Sequence, residues 1–569
     1  MRAWLGTTIF GVLCLVACGP SVRGSGDDDP TGDGGGDGRP GECFPQCSTD
    51  GRSVLDCNGE VTQACDPTQA CDATTFTCAN ACQAAENNKR SVGCDYYATD
   101  MDVQQPTYCF AAFVANTWTS PAKINVEYQG QQLNVAGFAR IPTGSGGAIT
   151  YAPYDPNLGL PPGEVAVLFL SGGTGAVPLC PVAPAIPSAG VAGTQIASAF
   201  HITTDVPVVA YQINPFGGGS VAVTAASLLI PTSAWTQEYI AVNVGLSGVG
   251  NPSLNIIAKE DGTAVTMTPV AAIVGGAGIP ATAANTPVNI TLNKGQHAQI
   301  TQPAELTGSV VTSTKPIGFM AGQVCMQMPN GTPYCDHGEQ MVPPVTALGH
   351  RYVGVMYRPR VPAETKTFWR VIGAVDGTNL VYSTAIPGAP ATLNRGQAVT
   401  FETGTPFTVE SQDKDHPFLM FTYMTSSQYV MSGYGDPDMV LSVPPEQYLK
   451  QYVFFTDPTY PETNLVLVRA RANGGFSDVM LDCLGPVTGW QPVDGNYEYA
   501  RVDLSTGNFQ GVGACSTGRH EIKSDAPFGL WVWGWGTPNT SVFTANVSYG
   551  YPGGMNVTPI NNVILKTAP

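Results

Sequence analysis

From about Tyr108 onward, apolar residues come in short runs that alternate with polar positions and are cut by turn residues. Representative runs are KINVEY (Lys123 to Tyr128), LNIIAKEDGTAVTMTP (Leu254 to Pro269), FWRVIGAVDGTNLVYS (Phe368 to Ser383) and NLVLVRAR (Asn464 to Arg471). Alternation with period two places one face of a strand inward and the other outward. Asp261-Gly262 and Asp376-Gly377 each sit between two such runs. That is a hairpin signal, because a primed turn needs positive φ at its centre. Helical periodicity of any length is absent, and EQYLKQY (Glu446 to Tyr452) predicts one turn at most.

The runs belong to an internal repeat. LNKGQ (Leu292 to Gln296) returns as LNRGQ (Leu393 to Gln397), and the interval from Leu292 to Pro316 equals that from Leu393 to Pro417. Each proline opens an apolar run after a breaker cluster. Farther on, Pro344 and Tyr352 have the same spacing as Pro444 and Tyr452, and Pro231 and Tyr239 repeat it once more. LPPGE (Leu160 to Glu164) with Pro207 forms a weaker upstream copy, lengthened by a Gly/Pro/Ala-rich insertion around Ser171 to Gly193. KSDAPFGLWVWGW at Pro527 supplies the fourth copy. A strand tolerates proline at its first residue, so the repeat predicts the same strand entry four times. The fold expected is all-β: tandem antiparallel sandwich-like units of about 100 residues each, preceded by a small disulfide-rich module. The units fall near residues 91–228, 229–341, 342–441 and 442–569. Separate sandwiches, and one closed assembly whose strands cross between repeats, both accommodate equal repeats.

The N-terminus reads differently. Residues 1–18 hold one early arginine and an apolar stretch too short to span a bilayer comfortably, ending in Leu15-Val16-Ala17-Cys18. This end resembles a bacterial lipobox, which implies cleavage before Cys18 and lipid on its thiol. Gly19 after the cysteine favours the outer membrane by the same resemblance. Several acyl chains would exceed the affinity of one chain, which anchors only marginally. Residues 19–42 (SVRGSGDDDPTGDGGGDGRPG, Ser21 to Gly41, at their centre) have almost no apolar residue and read as a flexible, self-repelling tether. Asp27, Asp28 and Asp29 are better read as part of that tether than as a calcium site.

Residues 43–90 are crowded with cysteine: Cys43, Cys47, Cys57, Cys65, Cys71, Cys78 and Cys82, with Cys94 and Cys109 following. Setting aside Cys14 in the signal and Cys18 on lipid, the 16 cysteines reduce to an even number, as a disulfide framework in an oxidising compartment requires. Zinc is the weaker reading, since no histidine precedes His201 and the spacings are not paired Cys-x2-Cys knuckles. Cys325 and Cys335 flank an Asn-Gly turn, Cys483 and Cys515 share the fourth unit, and Cys180, inside the insertion, has Cys109 as the partner within its unit.

Composition narrows the function classes. Charged residues are 12% of the chain, while Gly is 66 and Pro 47, which suits short strands joined by turns. The net charge of −18 excludes nucleic acid as a partner, for no basic stripe is there to meet phosphate. Outside the tether, the acidic balance reads as a solubilising surface.

Few constellations suggest chemistry. Cys335, His337 and Glu339 form the best catalytic-looking cluster, but a Cys325–Cys335 disulfide would leave no nucleophile, with His337 and Glu339 bonding backbone. No His-Glu-x-x-His and no Gly-x-Ser-x-Gly elbow occurs. LSGGTGAV (Leu170 to Val177) lacks the Lys-Ser/Thr of a phosphate loop. Catalytic, metal and cofactor sites are therefore not expected. Trp531, Trp533 and Trp535 alternate along one strand; they read first as core and second as an aromatic platform for sugar. The insertion, with Gly172, Gly173, Cys180 and Ala192, is the expected ligand loop, because a rigid scaffold lets its loops carry function.

SVGCDYYATDMD (Ser91 to Asp102), AKEDGTAVTMTP, LTGSVVTSTKPIGFMAGQVC (Leu306 to Cys325), CDHGEQMVPPV (Cys335 to Val345) and GDPDMVLSVPPEQY (Gly435 to Tyr448) together resemble the IgGFc-binding protein N-terminal domain family. The resemblance runs from Ser91 to the C-terminus, and its most specific piece is the Cys-Asp-His-x-x-Glu-Gln-x-x-Pro-Pro run. It implies a non-enzymatic, extracellular binding or adhesion module, here on a bacterial surface lipoprotein; a structural component of the envelope or extracellular matrix is the second reading, and an envelope enzyme the third. The partners then expected are a membrane, through the lipid anchor, and an extracellular protein or glycan.

Overall fold

The computed structural model describes residues 44–105, 107–173, 179–218, 222–245, 249–472, 474–538 and 546–565. Cys18, the tether and its three aspartates, and Cys43 lie outside the described residues, as do positions 174–178 of the insertion. Residues 42–569 pack as one unit, almost entirely of antiparallel strands.

The architecture rests on one motif repeated four times. In the first copy, β1 (Val92–Ala98) pairs with the long β2 (Phe200–Asn214), whose far end pairs with β3 (Ala225–Leu228). In the second, β4 (Thr236–Ile240), β5 (Val310–Met326) and β6 (Asp336–Met341) repeat the arrangement. In the third, β7 (Arg351–Gly354) pairs with β8 (Phe407–Ser411), and β9 (Phe418–Met424) pairs with β10 (Asp438–Leu441). In the fourth, β11 (Leu449–Thr456) and β13 (Ser548–Pro552) both pair with β12 (Gly518–Trp535).

The repeated prolines mark a bend rather than a strand entry. Pro207, Pro316 and Pro527 lie inside β2, β5 and β12, where the register against the opening strand shifts. Only at Pro417 is the long strand divided, into β8 and β9. Proline has no N–H to lose, so it fits a bulge, and a bulge lets one strand turn from one sheet into another. Each bend is held by a tyrosine of the opening strand. Tyr96 Oη donates to Val208 O at 2.7 Å, Tyr239 to Ile317 O at 2.8 Å and Tyr352 to Phe418 O at 2.7 Å, while Tyr452 donates to Phe528 O. In every copy the acceptor is the residue after the proline. The shared spacing from Pro231, Pro344 and Pro444 to Tyr239, Tyr352 and Tyr452 belongs to a 3-10 turn that leads into the opening strand and so places the tyrosine of each corner.

The end strands close a ring. β3 touches β6, β6 touches β10, β10 touches β13, and β13 returns to β3. Each repeat thus builds its own sheets while its last strand joins a common axis. One strand also crosses between repeats: Gln195–Ser198, which precedes β2, pairs with Gln296–Thr301 of the second copy. The chain ends meet at the closure. Ser91 N donates to Met555 O at 2.8 Å and Met555 N to Ser91 Oγ at 3.0 Å. The tail then runs back across the other repeats, with Asn556 N on Gln447 O, Ile560 N on Thr346 O, and Leu565 N on Glu238 Oε2, each at 2.8 Å.

The cysteine-rich segment is held by Cys47–Cys71, Cys65–Cys78 and Cys82–Cys94, the last tying it to β1. It contains a helix that hydrophobic periodicity does not reveal, α1 (Ala81–Asn88), capped by Asn80 Oδ1, which accepts from Cys82 N at 3.0 Å and Gln83 N at 3.3 Å. The local signal was the Asn cap before an alanine-rich run. EQYLKQY makes only the 3-10 turn Pro445–Gln447 before β11 begins.

Candidate functional site

The insertion of the first copy is braced at both ends. Cys109 and Cys180 are disulfide-bonded. Gly172 and Gly173 pass too close to neighbours for a side chain, since a Cβ there would lie 3.1 Å from Cys180 Sγ and 2.6 Å from Thr107 Cβ respectively. Gly173 N donates to Thr107 O at 2.8 Å. Farther along, Ala185 N and Ile186 N bond Phe169 O and Leu170 O, and Ala189 N bonds Ser171 Oγ. Ala192 is exposed, and its carbonyl accepts from Gln195 Nε2. Gly193 N reaches Asp102 Oδ2 at 2.6 Å. Leu179, beside the disulfide, is 58% exposed. The described part of the loop is thus a mostly accessible surface on a fixed frame.

The catalytic-looking cluster is closed. Cys335 is bonded to Cys325, and His337 and Glu339 are wholly buried. Glu339 does not bond backbone: its Oε2 accepts from Gln212 Nε2 at 2.6 Å and lies 3.8 Å from His337 Nε2. The donor is instead a side chain of β2, Gln212, whose Nε2 also donates to Thr99 O at 3.2 Å. Burial pushes the His337 imidazole down to about 4 and the Glu339 carboxyl well up. Around Glu339 lies a set of buried carboxyls. Burial raises Asp100 and Asp436 to about 7 and Asp457 to about 6. Asp336 and Asp438 are raised further, Asp336 by burial first and then by Asp436 and Asp438. These acids do not belong to a solubilising surface, contrary to expectation. They sit at the base of the end strands, where four repeats converge and exclude water.

The tryptophans offer no platform. Trp531, Trp533 and Trp535 are 7%, 2% and 0% exposed. Trp531 Nε1 donates to Leu441 O at 2.9 Å, Trp535 Nε1 to Glu462 Oε2 at 3.2 Å, and Tyr357 packs on Trp533 at 5.0 Å between ring centroids. Their strand pairs with neighbours on both sides and is covered on both faces, so no indole is left for a sugar. Cys483 and Cys515 are disulfide-bonded. Asp482, Cys483 and His520 come together, but the sulfur is oxidised and His520 is engaged by Asp482 Oδ1 at 3.0 Å and Ser516 O at 2.7 Å.

Fold and sites together define a disulfide-braced, nearly all-β repeat protein in which Cys335 is oxidised and His337 and Glu339 are buried. The family model described as IgGFc binding protein matches residues 225–534, more than half of the chain, and the chain belongs to that family. It is similar to the human (Homo sapiens) IgGFc-binding protein, 24% identical over 291 residues. The match covers 49% of this chain and 5% of that much longer relative. No solved structure matches.

Proposed function

We propose that this protein is a non-catalytic binding protein displayed outside the cell, tethered by lipid on Cys18 and binding an extracellular protein or glycan through its loops. Four units, bounded near residues 228, 341 and 441, form the rigid head, residues 43–90 the collar, and residues 19–42 the tether. The observation that carries the reading is the contrast between the two candidate sites. In the Cys335–His337–Glu339 group the sulfur is oxidised and His337 and Glu339 are fully buried, while the described part of the insertion is pinned by Cys109–Cys180 and mostly accessible. A pinned loop pays less ordering cost on binding. The family membership and the oxidised cysteines support an extracellular binding role, since disulfides persist in oxidising compartments. The Fc part of immunoglobulin G is the first ligand to test, on the strength of the human relative's name.

The test uses the full-length protein and its Cys18→Ser variant in a Gram-negative host. The native protein is expected in membranes with a lipid-modified N-terminal Cys18 by mass spectrometry, and Cys18→Ser uncleaved at that position. The detergent-solubilised protein is then passed over immobilised Fc and a panel of extracellular glycans and matrix proteins. An unmodified mature N-terminus elsewhere defeats the anchor. Turnover of any panel member, or self-polymerisation with no partner retained, defeats the binding reading.

A further inference from the structure

A cleft of about 100 Å³ lies where the cysteine-rich segment meets the closure of the ring. Its walls come from four places: Arg52 from the cysteine-rich segment, Arg90 just before β1, Trp118 and Pro207 of the first copy, and Gln451 of β11. Alanines of α1, Ala81 and Ala85, add an apolar floor. An apolar floor with a few charged groups is the make-up of a small-ligand site.

Arg90 is the unusual residue. Among the described residues it takes part in no ion pair and no side-chain hydrogen bond. Burial pushes its guanidinium pKa down, and no carboxylate stands near enough to raise it again. The buried arginines elsewhere are paired: Arg360 with Glu364 at 2.5 Å, and Arg370 with Glu305. Across the cleft, Arg52 is only partly committed. Its Nη2 donates to Thr117 O at 3.1 Å, its guanidinium lies 5.5 Å from the Trp118 ring centroid, and its Nε is buried with no partner. The one acid on the wall, Asp50, is already engaged through Oδ1 by Ser48 Oγ at 2.6 Å and Arg52 N at 3.0 Å. Two cations therefore line the cleft beside a single carboxylate, one oxygen of which is already engaged, in a chain whose net charge is −18.

We propose that this cleft binds an oxyanion, the carboxylate or sulfate group of a small organic ligand such as an acidic sugar, with Arg90 as its principal contact and Arg52 as the second. A guanidinium presents two parallel N–H donors that match a carboxylate or sulfate edge, and an unpaired cation drawn partly out of water gains most from such a partner. The site is separate from the insertion loop. It joins the first and last copies beside the Arg90–Asn556 bridge, so an occupant also fastens the ring closure.

The experiment uses the full mature chain with its disulfides intact. Methyl glucuronide, glucose 6-sulfate and the neutral methyl glucoside are titrated at constant ionic strength, by calorimetry and by thermal unfolding. At least one acid is expected to bind one-to-one and raise the melting temperature, while the neutral sugar does neither; which acid binds separates carboxylate from sulfate. Arg90→Met should weaken that binding by about tenfold or more, and Arg52→Gln by a smaller factor. The proposal is overturned if neither acid shifts melting, if methyl glucoside binds as well as the acids, or if folded Arg90→Met binds like the native chain. Should Arg90→Met fail to fold, the melting shift of the native chain and the Arg52→Gln titration decide alone, and an unchanged affinity in Arg52→Gln then rejects the site.

Discussion

The side-chain amide of Gln340 donates to the carbonyl of Gly550 at 3.2 Å, joining the end strands of the second and fourth copies across the axis of the ring. The same nitrogen donates to Ala226 O at 2.7 Å, and Oε1 accepts from Leu441 N at 3.4 Å. One glutamine, 1% exposed, thus satisfies backbone groups of the other three end strands. The end strands are not paired to each other by regular ladders, so side chains must do this joining.

Gln340→Ala should therefore destabilise the whole ring. It leaves two carbonyls and one N–H buried without partners, each costing about 1–3 kcal/mol, so a loss of about 3 kcal/mol or more is expected in denaturant unfolding of the intact chain. A loss below about 1 kcal/mol would mean that the axis tolerates unpaired groups or admits water.

The tyrosine corners predict a different pattern. Tyr239→Phe and Tyr352→Phe each remove two hydrogen bonds, one donated to Ile317 O or Phe418 O and one accepted from Thr236 N or Gly349 N, and should cost about 1–3 kcal/mol apiece. They lie in different copies and share no partner, so the double variant should show the sum within about 0.5 kcal/mol. A strongly non-additive result would show that the corners are coupled through the ring.

These two devices explain what was legible in the sequence. The tyrosine of the corner follows a proline and a 3-10 turn at fixed spacing, so it leaves a countable trace at Pro344–Tyr352 and Pro444–Tyr452, whereas the prolines of the bends lie at varying distances from their tyrosines. The tyrosine of the first copy, Tyr96, escapes that count, because no proline precedes it at the matching distance. Alternation revealed the strands, and the Asp-Gly dipeptides marked turns but not the expected hairpins: the strands flanking Asp261-Gly262 and Asp376-Gly377 pair with other strands and not with each other. Ring closure left no such trace: it depends on Gln340, a residue unremarkable in composition, and on contacts hundreds of positions apart. The buried acids were missed for a related reason. An aspartate beside a proline or glycine usually faces water, and only the convergence of four repeats puts Asp336, Asp438 and Glu339 out of reach of solvent. The tryptophan row had the right period for a platform, but period alone does not say whether a second layer covers it.

The buried carboxyls set an expected pH dependence. Asp100, Asp436 and Asp457 titrate at about 7, 7 and 6 in the folded chain, against about 3.9 when unfolded. Between those values the folded state holds protons that unfolding releases, so stability falls as pH rises from about 4 toward 7. Asp336, Asp438 and Glu339, raised further, extend the same trend upward. His297 and His337, lowered to about 4 by burial, oppose it below about pH 6.5, but the carboxyls outnumber them. Melting is expected to be higher at pH 5 than at pH 8 in matched ionic strength. The opposite order would show that these acids are ionised and held by a partner such as a bound cation.

The last prediction tests where binding resides. The insertion divides into two parts. From Ala185 on it is built into the sheet edge through Phe169 O, Leu170 O and Ser171 Oγ; before that, among the described residues 179–184, the Cys109–Cys180 bond is the main attachment. Replacing the first part by a short Gly-Ser linker, with Cys109→Ser to avoid an orphan thiol, removes the loop while sparing the frame. Losing the disulfide alone would cost up to about 4 kcal/mol by the chain-entropy estimate. The matched control is therefore Cys109→Ser/Cys180→Ser with the loop intact. If the insertion carries binding, the loop-deleted chain should lose retention on the surface that holds the native protein, at a temperature where both variants remain folded. The double-serine control should bind more weakly than native, because an unpinned loop must be ordered on contact, but well above the deletion. Glu339→Gln, which keeps a side chain for Gln212 to bond, should bind like native. Binding that survives loop deletion but disappears in a folded Glu339→Gln would move the site from the first copy's insertion to the ring axis.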